Sequence, residues 1–261
     1  MNTINFEGLG LSFKVNRVAI DLWGIEIYWY GILIVLGFIL TLILCKKDDG
    51  KYNIKFDDIL QLIIIALPIS IICARSYYVI FNFNTYISNP IEIFNIHNGG
   101  LAIYGGIIGA IGTIAVYCKL KKINLLDTLD YLAPFLPLGQ SIGRWGNFFN
   151  IEAHGTETTN IFRMGIIENG NYIQVHPTFL YESICTFIIF LSLYKIRNKR
   201  KYSGQITYMY FFLYGFVRFF IEGLRTDSLM LGNIRISQLL SIILSLACGI
   251  ILIYKRYKNE R

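Results

Sequence analysis

Seven stretches of this chain run apolar for 16 to 24 residues with few interruptions: 22–45, 59–81, 101–118, 126–143, 178–194, 206–221 and 236–254. Crossing about 30 Å of hydrocarbon as a helix takes roughly 20 apolar residues, so the pattern predicts seven crossings, some of them short. The fold class expected is all-α integral membrane, a seven-transmembrane-helix bundle forming one membrane domain over residues 1–261. Composition agrees, with 54% of residues hydrophobic and only 16% charged, outside the usual range for a soluble domain.

Charge fixes an orientation. Alternate connections, at 46–55, 119–122, 195–201 and 255–261, hold sixteen Lys and Arg; the opposite set holds Lys14, Arg17, Arg163, Arg225 and Arg235. Positive residues stay on the cytoplasmic side, so the N-terminus is expected outside and the C-terminus in the cytoplasm. Residues 150–175 then form an extracytoplasmic arm between the fourth and fifth spans, too long for a tight turn. The net charge of +7 is loop charge between apolar runs, so no nucleic-acid partner is expected. The five cysteines lie in or at the ends of apolar segments without a C-x-x-C pair, and neither a metal site nor a disulfide framework is indicated. No cleavable signal peptide is expected in the first twenty residues, which lack an apolar run of the required length.

Three arginines remain, Arg75, Arg144 and Arg218, each within or at the end of an apolar segment. A charge at mid-membrane costs at least ~2.5 kcal/mol on the insertion scale. For Arg75 alone the simpler expectation is snorkelling or pairing with a neighbour. Yet all three fall towards the outer ends of their spans, the level expected also for Tyr28, Trp29, Tyr30, Tyr104, His176, Tyr181 and Glu182. The inner ends carry Asp57, Asp58, Asp127 and Asp130 but no arginine cluster, which weakens a channel or transporter reading. Arg218, Glu222 and Arg225 stand at i, i+4 and i+7 on one helical stripe, where a carboxylate between two guanidinium groups would hold both; a purely structural ion-pair ladder has the same spacing. Arginine matches phosphate with a planar fork of donors, so an anionic phospholipid is the natural ligand at that depth.

The densest polar run is Gly139-Gln-Ser-Ile-Gly-Arg-Trp-Gly-Asn-Phe-Phe-Asn-Ile-Glu-Ala-His-Gly155. Gly139 with Gly143, like Gly105 with Gly109, has the small-xxx-small spacing of closely packed helices. Arg144, Asn147, Asn150 and Glu152 place more hydrogen-bonding groups beside the membrane than a helix end requires.

Residues 143–155, Gly-Arg-Trp-Gly-Asn-Phe-Phe-Asn-Ile-Glu-Ala-His-Gly, resemble the signature G-R-x-G-N-F-x-N-x-E-x-x-G of the prolipoprotein diacylglyceryl transferase family. Trp29-Tyr30-Gly31, Gly99 to Gly106, His176 to Glu182 and the run Arg218, Glu222, Arg225 agree in order, so the resemblance covers nearly the whole chain. It implies a multi-pass enzyme of the bacterial cytoplasmic membrane, with its site towards the outer leaflet. Its donor would be phosphatidylglycerol, its acceptor the lipobox cysteine in the signal peptide of a prolipoprotein, and its by-product glycerol 1-phosphate. No cofactor is implied.

Carried over by position, the catalytic candidates are Arg144, Arg225, Tyr104 and Glu152, and the substrate-binding candidates are Tyr30, Arg144, Asn147, Arg218, Glu222 and Gly155. Many family members have His where this chain has Tyr104, and a phenol with an ordinary pKa near 10 is a poor base at neutral pH. Tyr104 is therefore expected to orient substrate unless nearby arginines depress it. His176 suits helix-start packing as well as chemistry; His97 and His154 are read as loop residues. An anionic-lipid carrier or flippase is the alternative, using the same arginines without covalent chemistry, and a structural membrane subunit is a third.

Overall fold

The computed structural model describes residues 2–96, 99–168, 170–232 and 234–259; His97 and Arg261, both considered above, lie outside them. The chain condenses into two compact units, residues 1–44 with 132–261, and residues 45–131.

The first unit opens with two antiparallel hairpins, β1 (Asn2–Phe6) with β2 (Leu11–Val15) and β3 (Val18–Leu22) with β4 (Ile25–Tyr28). Helix α1 (Trp29–Lys47) follows β4 without a linker. The expected first span therefore begins seven residues late. Trp23 (φ 51°) and Gly24 (φ 88°) are both left-handed, the backbone of a tight hairpin turn, so residues 22–28 are committed to strand pairing.

The second unit takes up the end of α1 and contains α2 (Phe56–Phe81), the short α3 (Phe83–Tyr86), α4 (Ile103–Lys121) and α5 (Leu125–Leu132) apart from its last residue. Gly105 and Gly109 of α4 lie against Cys73 of α2, and Cβ atoms there would be in steric conflict with it. Their expected packing role holds. Arg75 of α2, 9% exposed, is enclosed by the connection it organises. Its Nε donates to Ile93 O (2.8 Å), Nη1 to Gly99 O and Gly100 O (3.0 Å each) and Nη2 to Glu92 O (2.6 Å), with the Tyr78 and Tyr86 rings 5.9 and 5.3 Å from its guanidinium carbon.

The first unit resumes with α6 (Phe135–Asn150), β5 (Met164–Glu168), β6 (Asn171–Val175), α7 (Thr178–Ile196), α8 (Gln205–Leu224), the two-residue strands β7 (Met230–Leu231) and β8 (Ile234–Arg235), and α9 (Ile236–Asn259). The segment expected as one span at 126–143 is thus divided. Pro134 stands between α5 and α6, and a residue without an N–H whose ring crowds the preceding turn ends a helix there. Gly143 departs from expectation, since a Cβ there would meet nothing beyond its own helix within 4 Å, whereas Gly139 is approached by α1, where a Cβ on Gly37 would stand 3.7 Å from its Cα. The α6–α7 contact is made instead by Ser141 and Ser183, each hydroxyl donating to the other's carbonyl at 2.9 Å.

Among the described residues, five helical segments are long and apolar enough to cross a membrane: Trp29–Lys47, Phe56–Phe81, Ile103–Lys121, Thr178–Lys199 and Ile236–Lys258. The protein is mostly helical, but the connection after α6 is built as sheet. β5 and β6 join the N-terminal hairpin in a four-stranded antiparallel sheet of order β2-β1-β5-β6, with Asn5 opposite Gly165. Its apolar face (Ile4, Phe6, Val15, Met164, Ile166, Val175) packs on Phe148 of α6 and Phe179 of α7. Alternating strand residues supply this face, and burying it fixes the end of α6 against the start of α7, where the polar residues gather.

Candidate active site

The site grows around Glu182, 1% exposed, in the second turn of α7. Arg144 of α6 donates from Nη2 to Glu182 Oε1 at 2.6 Å, and Arg218 of α8 from Nη1 to Oε2 at 2.7 Å. The Tyr214 hydroxyl reaches Oε1 at 3.4 Å. Arg218 turns its other terminal nitrogen to Glu222, one helical turn on, at 2.5 Å. A buried charge is tolerated only when paired and hydrogen-bonded, and here α6 supplies Arg144 and α8 supplies Arg218 and Tyr214 to compensate it.

The expected ladder on α8 is corrected by this geometry. Glu222 holds Arg218 but not Arg225, because α8 ends at Leu224 and Arg225 is extended (φ −73°, ψ 147°). The stripe requires helical backbone that stops one residue too soon. Arg225 donates instead to Asp227 with both ends of its fork, Nε to Oδ1 at 2.9 Å and Nη2 to Oδ2 at 2.6 Å. The carboxylate that bridges two guanidinium groups is Glu182, and it bridges Arg144 and Arg218. Arg235 caps the end of α8 by donating to the carbonyls of Glu222 and Gly223.

From Arg144 a polar chain continues along the signature. Arg144 Nη1 donates to Asn147 Oδ1 at 3.2 Å, and the Asn147 and Asn150 amides donate to Glu152 Oε1 at 2.9 and 3.2 Å. Glu152 thereby closes the turn after α6. Ile151 (φ 54°) and Ala153 (φ 56°) adopt left-handed backbone within it, uncommon for side-chain-bearing residues and concentrated at functional sites. The chain then threads between the start of α7 and the end of α8. Gly155 N donates to His176 O (2.9 Å), Thr156 N to Leu224 O (2.8 Å), and Gly155 forms a bridge with Arg225. A Cβ on Gly155 would stand 2.7 Å from His176 Cβ and 3.0 Å from Leu224 O, so glycine is required by close backbone approach. Tyr30, in the first turn of α1, lays its ring on Gly146 of α6, where any side chain would overlap it. It shares a cleft of about 650 Å³ with Asn150 and Glu152.

One unit therefore brings together Tyr30, Arg144, Asn147, Glu152, Gly155, Arg218, Glu222 and Arg225. Tyr104 belongs to the other unit, at the second residue of α4, with its side chain partly exposed. Partial burial works to raise the Asp227 carboxyl, but the hydrogen bond and charge of Arg225 outweigh it and hold Asp227 below the ordinary carboxylate value. Burial lowers His176, whose Nδ1 lies 3.3 Å from the Tyr181 hydroxyl. His154 sits in the turn, Nε2 3.4 Å from Glu168.

Sequence reasoning placed Glu182 at the level of the arginines without giving it a role, and left Asp227, Arg235 and Tyr214 out of the site. Glu182 had a usable signal, a carboxylate within an apolar helix at the level of the arginines. Asp227 had none beyond its place two residues after Arg225.

Arg144 retains donors engaged by neither Glu182 nor Asn147, held in fixed orientation at an apolar boundary. Such an arrangement can bind a phosphate and stabilise charge on it. Five helices long and apolar enough to cross a membrane and a cluster of arginines paired with buried carboxylates together define a membrane protein with charged groups gathered at helix ends. The family model described as prolipoprotein diacylglyceryl transferase matches residues 17–254, and the chain belongs to that family. It is similar to the phosphatidylglycerol–prolipoprotein diacylglyceryl transferases of Finegoldia magna (51% identical; 94% of this chain, 97% of the relative), Clostridioides difficile (49%; 94% and 98%) and Bacillus cytotoxicus (45%; 97% and 96%).

Proposed function

We propose that the protein transfers the diacylglyceryl group of phosphatidylglycerol to the lipobox cysteine of prolipoproteins. The observation that carries this reading, given the family, is Arg144 held by the buried Glu182 while its side chain stays 23% exposed. In the proposed reaction the acceptor cysteine, as thiolate, attacks the glycerol carbon that bears the phosphate. A carbon–sulfur bond forms and the carbon–oxygen bond breaks, its electron pair staying on the oxygen that leaves as glycerol 1-phosphate. The thiolate is the reactive form; the thiol proton passes to water before attack, and the glycerol phosphate departs as the dianion, which water can reprotonate. Arg144 binds the phosphate and meets the charge that develops on it, with Arg225 contributing once Asp227 releases it. Arg218 and Glu222 set the orientation around Glu182; Asn147 and Glu152 shape the turn; Tyr30 and Gly155 fix its approach. For Tyr104 the proposal rests on the family motif alone.

The topology proposed has seven passages, the fourth drawn from the apolar run 126–143 and the sixth from α8. Pairing of Asn5 with Gly165 supports a reading with the N-terminus and the 150–175 connection on one side, since a bilayer cannot lie between hydrogen-bonded strands. The charge asymmetry makes that side the exterior of a bacterial cytoplasmic membrane, and lipid is drawn from its outer leaflet.

Purified protein in vesicles of phosphatidylglycerol with a lipobox peptide tests the proposal. The peptide should gain one diacylglyceryl mass with matching release of glycerol phosphate, and both should disappear in Arg144→Ala. Folded protein that moves labelled lipid between leaflets and yields neither product would replace the transferase reading with that of a carrier.

A further inference from the structure

Among the described residues the β3–β4 hairpin pairs with no other strand. Its register sets Leu22 opposite Ile25 and Ile20 opposite Ile27 on one face, and Asp21 opposite Glu26 on the other. It is thus a two-stranded amphipathic ribbon. Among the described residues its apolar face stays open: Ile20 is 48% exposed, Leu22 47% and Ile25 71%, and Trp23 at the tip is fully exposed. A lone hairpin is at best marginally stable in water, and three or more strands or a packed face are normally required. The uncovered face calls for an apolar neighbour.

What that neighbour is follows from where the hairpin is anchored. β4 runs directly into α1, and Trp29 N, the first amide of the helix, donates to Arg17 O at the foot of β3 at 3.0 Å. Both strands are thereby fixed to the end of a helix apolar enough to cross a membrane, with only 11% of its most apolar window buried in protein. If that helix crosses a bilayer, the ribbon is held at the boundary where it leaves hydrocarbon. Tryptophan favours this level of a bilayer, and the exposed Lys14 and Arg17 beside it suit anionic headgroups. Like charges directly opposite one another, as in Asp21 and Glu26, repel and are best tolerated facing water.

We propose that β3–β4 is a membrane-interface element, with Ile20, Leu22, Trp23 and Ile25 seated between headgroups and acyl chains and Asp21 and Glu26 turned to water. Its base contributes Arg17, Glu26 and Tyr28 to the cleft that also holds Tyr30, Asn150 and Glu152. The ribbon is therefore the lip over which lipid reaches the site, a role that rests on the transferase reading, whereas the membrane contact does not.

The test uses full-length protein in nanodiscs of phosphatidylglycerol and phosphatidylcholine. Comparing wild type with Trp23→Phe isolates the emission of Trp23, whose exposed side chain makes the exchange harmless to folding. That emission should be quenched by lipid brominated near the headgroup end of its acyl chains and be insensitive to aqueous iodide. Quenching by iodide and not by brominated lipid would overturn the contact. A second variant, Leu22→Lys with Ile25→Lys, should lose at least fivefold in transfer from bilayer phosphatidylglycerol while keeping transfer from short-chain phosphatidylglycerol in micelles. Equal loss in both would overturn the role as lip. Absence of transfer by wild type in either format would sink the transferase reading, and the quenching result would still decide the contact.

Discussion

Arg75 and Arg144 pose one problem in two regions and receive opposite solutions. Each places a guanidinium in a helix among apolar residues. Arg75 directs every nitrogen at backbone carbonyls of the connection it gathers and is flanked by two tyrosine rings. Arg144 takes one carboxylate oxygen and one amide oxygen, and its side chain is 23% exposed. The first arginine is consumed by its own chain and stabilises it. The second is neutralised by a carboxylate from another helix, which holds its direction while leaving donors for a ligand. Charge at membrane depth thus marks a site only when its hydrogen bonds are left incomplete.

Arg75→Met separates the two cases most sharply. Four carbonyls would lose charged donors worth about 1.5–3 kcal/mol each, though not additively, so folded yield and melting temperature should fall steeply while transfer per folded molecule stays near wild type. A stable but inactive Arg75→Met would break the comparison. Arg144→Ala should do the reverse: turnover down by about 10²–10³, folded yield near wild type because Arg218 still neutralises Glu182. If yield falls as it does for Arg75→Met, Arg144 is structural too.

Asp227→Asn sharpens the idea of incomplete bonding by releasing the Arg225 fork. Apparent KM for phosphatidylglycerol should fall about threefold at a stability cost of roughly 0.5 kcal/mol, the small value expected for a pair with one partner half exposed. An unchanged KM would remove Arg225 from the phosphate site. The smallest effect is that of pH. Burial depresses His176, so its neutral form favours folding above the ordinary histidine pKa of about 6.5. That contribution is lost as pH falls through the depressed value, and His176→Asn should flatten the decline in melting temperature on acidification from pH 6.5.

The helices of the lipid-facing kind were legible because hydropathy is a local property: α2, α4, α7 and α9 lie where the apolar runs predict. Division at Pro134 was visible in principle, but the flanking residues are apolar enough to hide a break from a hydropathy count. The strands were missed for a different reason. β1 and β2 are short, and their burial depends on β5, more than a hundred residues away. The arginines announced themselves as charges in apolar sequence, and Glu182 carried the same signal. The direction of Arg225 did not, because it turns on where α8 ends, and a one-residue change in a helix terminus is beyond the reach of spacing rules.

The strand pair joining Asn5 to Gly165 has a consequence for biosynthesis. The β1–β2 hairpin leaves the ribosome well before its partner, which is made 160 positions later, after α1 to α6. Closing so long a loop is entropically costly and slow, so the hairpin waits with Ile4, Phe6 and Val15, buried in the finished sheet, still uncovered while the intervening helices insert. The sheet that clamps the signature segment is therefore among the last parts to assemble, and a nascent chain halted before residue 175 has no completed site.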